Sequence, residues 1–153
     1  MSLTSDHRTT LKRLSRLLSE CEDPWWVLGS AAIALVGVDP KGVRDVDFLV
    51  SHPDAKRLMK THGLKNDADG GNALFRSDVL LLPVLGRIPV EVMGNYYIKT
   101  AEAWRLLAPQ TRARVEVDGA TLYVPHISEQ IEILMALGRP KDLARIELLR
   151  SQA

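Results

Sequence analysis

The sequence predicts an α+β fold, in the wider α/β sense: one domain built on a mixed β-sheet flanked by helices. Three observations carry this. Helical and strand-like patterns alternate irregularly, without the strict strand–helix repeat of a doubly wound parallel sheet. Asp118-Gly119 joins two short strand patterns as a hairpin, which puts antiparallel pairing into the fold. The chain has 153 residues, 46% hydrophobic and 25% charged, the length and mixture of one globular unit. The expected organisation of residues 1–153 is an N-terminal helix (1–22), a mixed-sheet core (23–125) and C-terminal helices (126–153).

Thr4, Ser5 and Asp6 offer capping side chains, and Leu11, Leu14, Leu17 and Leu18 follow at helical spacing; this is an amphipathic helix ending near Cys21. Asp23-Pro24 breaks it, since the residue before proline avoids the helical region. Residues 25–28 read as a short buried strand, Gly29-Ser30 as a turn, and residues 31–36 as an alanine-rich helix. Residues 44–51 form a second strand, with Val46, Phe48 and Val50 on one face and Asp45, Asp47 and Leu49 on the other. Pro53 starts a helix that Gly63 stops. Residues 66–72 are a polar, turn-rich loop, read as free to move. Strands follow over 79–84 and 88–93, joined around Gly86. Residues 101–107 read as a short helix, 112–117 and 121–124 as the hairpin, and 128–137 as a helix. Gly138-Arg139-Pro140 ends that helix and begins the last one, which runs to about residue 150.

With 20 Lys plus Arg against 19 Asp plus Glu, the net charge is +1, and neither half forms a basic arm or an acidic tail. Composition therefore gives no support for tight nonspecific nucleic-acid binding. The single cysteine, Cys21, makes no internal disulfide, excludes a cysteine zinc cluster and suits a reducing cytoplasm. No apolar leader is visible at the N-terminus. The longest apolar stretch, residues 25–38, falls short of the roughly 18–20 residues of a membrane span. A soluble, cytoplasmic protein with no membrane partner is the expectation. His7, His52, His62 and His126 show no metal-ligand spacing with one another.

The chemistry concentrates between residues 28 and 50. Asp45 and Asp47, at i and i+2 on a strand, point to the same face. Paired carboxylates repel when ionised, and a divalent cation relieves that repulsion; an oxygen-rich pair of this kind suits Mg²⁺. The plainer reading is polar alternation on an edge strand. Gly29-Ser30, between a buried strand and a helix, leaves free backbone N–H groups at the positive end of a helix, where phosphate binds; Ser30 is equally an ordinary cap. Neither a phosphate-binding Gly-Lys-Ser/Thr loop nor a Gly-x-Gly-x-x-Gly fingerprint is present.

Taken together, Leu28-Gly29-Ser30 and Arg44-Asp45-Val46-Asp47-Phe48, about 15 residues apart, resemble the nucleotidyltransferase superfamily of DNA polymerase beta and the aminoglycoside nucleotidyltransferases. The tail, with Ser128-Glu129-Gln130 and Gly138-Arg139-Pro140-Lys141-Asp142, is similar to small bacterial members related to abortive-infection toxins. The resemblance spans roughly residues 25–149. It implies a third carboxylate on a later strand, matched by Glu91 between Val90 and Val92, although many members have Asp there. Glu91 also reads as an exposed-face residue, and Lys141-Asp142 as a solvated helix start. Tyr96 and Tyr97 read either as packing residues or as a surface on which a base stacks.

The resemblance implies transfer of a nucleoside monophosphate from a nucleoside triphosphate to a hydroxyl of a small molecule, a protein or tRNA. Asp45, Asp47 and Glu91 would be catalytic and hold two Mg²⁺ ions, with Mn²⁺ as the alternative ion. Gly29, Ser30, Arg44 and Lys141 would contact the nucleotide, and nucleic acid would enter only as acceptor. A homodimer or a protein partner is compatible with so short a chain. Two other readings use the same residues. One is a non-catalytic binding module or toxin–antitoxin component on this fold. The other is a two-metal nuclease or phosphatase, which leaves Gly29-Ser30 unexplained.

Overall fold

The computed structural model describes residues 3–152. The expected N-terminal segment and the span 1–153 include residues 1, 2 and 153, which lie outside the described residues. The elements in order are α1 (Ser5–Leu18), β1 (Trp26–Leu28), α2 (Gly29–Leu35), β2 (Val46–Val50), α3 (His52–His62), β3 (Phe75–Leu81), β4 (Val90–Lys99), β5 (Trp104–Leu106), β6 (Ala113–Val117), β7 (Ala120–Val124), α4 (Ile127–Leu137) and α5 (Pro140–Arg150). The main sheet runs β1-β2-β4-β3, with β5 also on β4, and β6 and β7 form a separate hairpin. The β2–β4 pair is parallel and the others are antiparallel, so the sheet is mixed and the fold is α+β, as the sequence predicts.

Local chemistry explains the boundaries. Thr4 and His7 form a reciprocal cap at the start of α1. The His7 Nδ1 accepts from the Thr4 backbone N–H, so its Nε2 donates to the Val43 carbonyl at 2.7 Å and ties α1 to the segment before β2. Ser51 caps α3, and Gly63 and Gly138 end α3 and α4 in the left-handed conformation. Asp118 and Gly119 both have positive φ, the requirement of a tight hairpin turn.

Three elements differ from expectation. Residues 101–107 do not form a helix: the Thr100 hydroxyl and Ala103 backbone close a turn, and Trp104–Leu106 pairs with Tyr97–Lys99 as β5. Sheet pairing here overrides the helical preference of Ala-Glu-Ala. The third strand starts earlier, at Phe75, and the fourth continues to Lys99. The loop at 66–72 holds itself by side-chain-to-backbone bonds: Asn66 accepts from Ala68 and Leu80, and Asn72 from Leu74 and Phe75. These bonds also cover the outer edge of β3.

The sheet buries both faces. Val46, Phe48, Val50, Val79, Leu81, Val90 and Val92 pack with Leu11, Leu14 and Leu18 of α1, Ala55 and Leu58 of α3, and Leu122 and Val124 of the hairpin. On the other face Leu28, Leu49 and Met93 meet Leu80, Tyr96, Leu107 and Ile133. Ile33 of α2 joins Leu134, Ile146 and Leu149 in a third cluster that seats α4 and α5. Between the second face and these helices a cavity remains. Gly94 sets how closely α3 lies on β4, because a Cβ there would stand 2.7 Å from the Ala55 Cβ. Gly94→Ala is expected to cost about 1–3 kcal/mol through overpacking, read as a lower urea midpoint at unchanged slope. Among the described residues no helix is long and apolar enough to cross a membrane.

Candidate active site

The site is built where β2, β4 and the start of α2 meet. β2 and β4 are parallel neighbours in a register that sets Asp47 opposite Glu91. Side chains directly opposite on adjacent strands share a face, and Asp45 precedes Asp47 by one strand period. Oxygens of Asp45, Asp47 and Glu91 all lie within 4.8 Å of one another, and all three residues are half-buried. Antiparallel pairing of Leu28 with Asp47 brings the β1–α2 junction alongside. Gly29 is there for a steric reason: it adopts φ +67°, and a Cβ would stand 3.2 Å from Asp47 Oδ2.

Among the described residues no cation forms an ion pair with the cluster. Burial first, then the charges of Asp45 and Glu91, push the Asp47 carboxyl up to about 8, with Arg145 partly opposing them. Asp47 Oδ1 is sealed from solvent and has no hydrogen-bond partner. Three oxygen ligands within reach of one another, one of them orphaned, form a donor set of the hard-oxygen type that Mg²⁺ takes. The residues therefore fit a divalent cation.

A cavity of about 400 Å³ opens over these acids. Gly29, Ser30 and Lys141 line it together with Asp45, Asp47 and Glu91, so six of the seven residues singled out in the sequence come together. Arg44 does not: it is exposed and outside the lining, in the segment before β2 begins at Val46. Cys21 lies elsewhere, and burial pushes its thiol up to about 12, away from nucleophilic reactivity.

The structure adds residues that the motif reading did not select as site residues. Arg145 lines the cavity one turn after Lys141, and that i, i+4 spacing was the available signal. Tyr96 lines it as well; Asn95, at φ 55°, breaks the strand alternation, so Met93 and Tyr96 both face the cavity. Arg76 and Asp69 reach the rim from β3 and the polar loop, with no sequence signal to mark them. Asp142 points to Arg139, not to Lys141. It is fully buried and accepts from Arg139 Nε at 2.6 Å and from Arg139 Nη2 at 3.0 Å. The guanidinium lies 5.6 Å from the centre of the Phe75 ring.

Neither a protein-family profile nor a curated protein sequence matches the chain. Solved structures do. TM1012 from Thermotoga maritima, a protein assigned to the nucleotidyltransferases, superposes with a TM-score of 0.70 at 21% identity, covering 93% of this chain and 89% of that one. The lincosamide antibiotic adenylyltransferase LnuA, solved with lincomycin bound, matches over 100% of both chains with a TM-score of 0.59 at 14% identity. The antibiotic-resistance factor ANT(2″)-Ia matches over 99% of this chain and 85% of its own, with a TM-score of 0.60 at 14% identity. The chain has the fold of the nucleotidyltransferase superfamily.

Proposed function

We propose that the protein is a metal-dependent nucleotidyltransferase that moves a nucleoside monophosphate from a nucleoside triphosphate to a hydroxyl acceptor. The observation that carries this reading is the convergence of Asp45, Asp47 and Glu91 within 4.8 Å, beside Gly29 and Ser30, in one open cavity. Asp45, Asp47 and Glu91 are the residues that would hold Mg²⁺. A divalent ion bound there supplies Lewis-acid charge to the phosphoryl oxygens and eases deprotonation of the acceptor hydroxyl.

The chain's own groups do the rest. Backbone N–H groups of Gly29 and Ser30 donate to phosphate oxygens, and Lys141 neutralises the outer phosphates. Glu91 takes the acceptor proton as the new oxygen–phosphorus bond forms and the bond to pyrophosphate breaks. Arg44, outside the cavity, has no part in this reading. The lining between Tyr96, Leu107 and Ile133 is apolar and suits a base or the body of an acceptor. The structural neighbours named for antibiotics make small hydroxyl compounds the first acceptors to test. The reading places the enzyme in the cytoplasm, where its one cysteine stays reduced.

A thermal melt tests it. Mg²⁺ with one of the four common nucleoside triphosphates is expected to raise Tm, because the pair binds only the folded state. Either component alone gives a smaller shift, and Asp47→Asn removes the metal-dependent part. No shift with any nucleotide at millimolar concentration, with or without Mg²⁺, points to a fold used without nucleotide.

A further inference from the structure

We propose that Arg145 contacts the reacting phosphoryl group of the nucleotide while Lys141, one helical turn away, holds only the outer phosphates. The proposal rests on the nucleotidyltransferase reading of the same cavity. It starts from an asymmetry among the basic residues of α5. Arg139 is held by the buried carboxylate of Asp142, and Arg150 pairs with Glu147 at 3.2 Å. Arg139, Lys141 and Arg145 all line the cavity, but Lys141 and Arg145 do so unpaired: among the described residues neither has an ion pair or a side-chain hydrogen bond. At i and i+4 they share one face of the helix, about 6 Å apart along its axis. A half-buried guanidinium without a carboxylate partner is costly unless an anion joins it.

The order along α5 assigns the roles. The phosphoryl group that reacts must lie against Asp45, Asp47 and Glu91. The start of α5 lies against Phe75, which pairs with Ile98, seven positions past Glu91 on β4. Ile146, next to Arg145, instead packs with Ile33 of α2, one turn from Gly29 and Ser30; Arg145 therefore sits at the acidic end. Lys141 is exposed at the rim, where the outer phosphates leave the cavity. The side-chain types fit. A guanidinium fork meets two oxygens of one phosphoryl group in a fixed plane, whereas an ammonium is a mobile point charge suited to a flexible tail.

Binding by phosphate number tests this without knowing the acceptor. Each of the four common nucleotides is titrated as its mono- and its triphosphate into wild type, Arg145→Gln, Arg145→Lys, Lys141→Gln and the surface control Arg150→Gln. Titrations are run in chelator and repeated with Mg²⁺, and each variant is melted first. Arg145→Gln is expected to weaken both mono- and triphosphate about tenfold, the scale of one charged hydrogen bond. Lys141→Gln is expected to weaken the triphosphate alone, and Arg150→Gln neither. Arg145→Lys, which keeps the charge, supplies the answer if Arg145→Gln does not fold: it loses part of the affinity for both forms. Loss of triphosphate binding alone in the Arg145 variants, unchanged binding of both, or no binding of any nucleotide to wild type overturns the proposal. If the pattern holds but no acceptor is ever labelled, the transfer reading fails and the Arg145 assignment stands. If transfer occurs and Arg145→Gln transfers at the wild-type rate, the assignment fails and the transfer reading stands.

Discussion

Asp47→Asn is expected to stabilise the metal-free protein at pH 8–9 while lowering nucleotidyl transfer by about 10²-fold or more, the scale of losing a group that stabilises transition-state charge. The stability effect follows from the carboxyl being raised from 3.8 to about 8 in the folded chain. Below about pH 4 it is neutral in folded and unfolded protein alike, and Asn changes little. Between about pH 4 and 8 the unfolded chain releases the proton while the folded chain keeps it, so wild-type stability falls as pH rises. Above that range the folded carboxylate is ionised as well, against Asp45 and Glu91, and the cost is fully present. Asn never carries the charge. The gap between variant and wild type therefore opens across pH 4–8 and stays open above it, reaching on the order of a few kcal/mol. Added Mg²⁺ stabilises wild type preferentially and narrows the gap. Urea melts in chelator at pH 4, 6 and 8.5, then with Mg²⁺, read all of this. A loss of stability at pH 8.5 in chelator identifies Asp47 as an acceptor of structural hydrogen bonds and removes it from the active site.

The parts of the site legible in the sequence are those written in local chemistry. Asp45 and Asp47 share a face because a strand has a period of two, and Gly29 marks a junction whose positive φ and close approach to Asp47 strain any side chain. Glu91 was legible as an acid set between valines, but its place opposite Asp47 depends on the parallel β2–β4 register, which no local pattern encodes. Tyr96 was ambiguous because strand alternation counts it away from Met93; the positive φ of Asn95 reverses that count. Arg76 and Asp69 enter the cavity through tertiary packing alone. Residues 101–107 show the opposite failure: a helical local preference yields to pairing with β4, whose length to Lys99 the sequence does not announce. The hairpin at Asp118-Gly119 and the stops at Gly63 and Gly138 were legible because each needs a conformation that few residues adopt.

Asp142→Ala is expected to destabilise the protein by about 3 kcal/mol, since breaking a buried pair from one side leaves the other charge uncompensated. Asp142 is fully buried, and its carboxylate accepts from the Arg139 guanidinium at two points and from the Arg139 backbone N–H at 3.0 Å. One side chain thus closes the first turn of α5 and holds Arg139 against the Phe75 ring. Its removal strands donors on a guanidinium whose side chain is only 25% exposed. The energetic origin is testable with a second variant. Replacing both partners, Arg139→Leu with Asp142→Leu, removes the stranded charge and fills the space with apolar groups, so much of the lost stability should return. If the double variant melts as low as Asp142→Ala, the loss comes from the helix cap and not from the unpaired arginine. Function follows the geometry of α5 in either case. Lys141 and Arg145 reach the cavity from the turns that this cap starts, so Asp142→Ala should also weaken nucleoside triphosphate binding, and it should do so below the temperature at which the variant begins to melt. Wild-type affinity in a destabilised Asp142→Ala protein would mean that α5 holds its cations in place through Ile146 and Leu149 in the core, without help from the pair at its start.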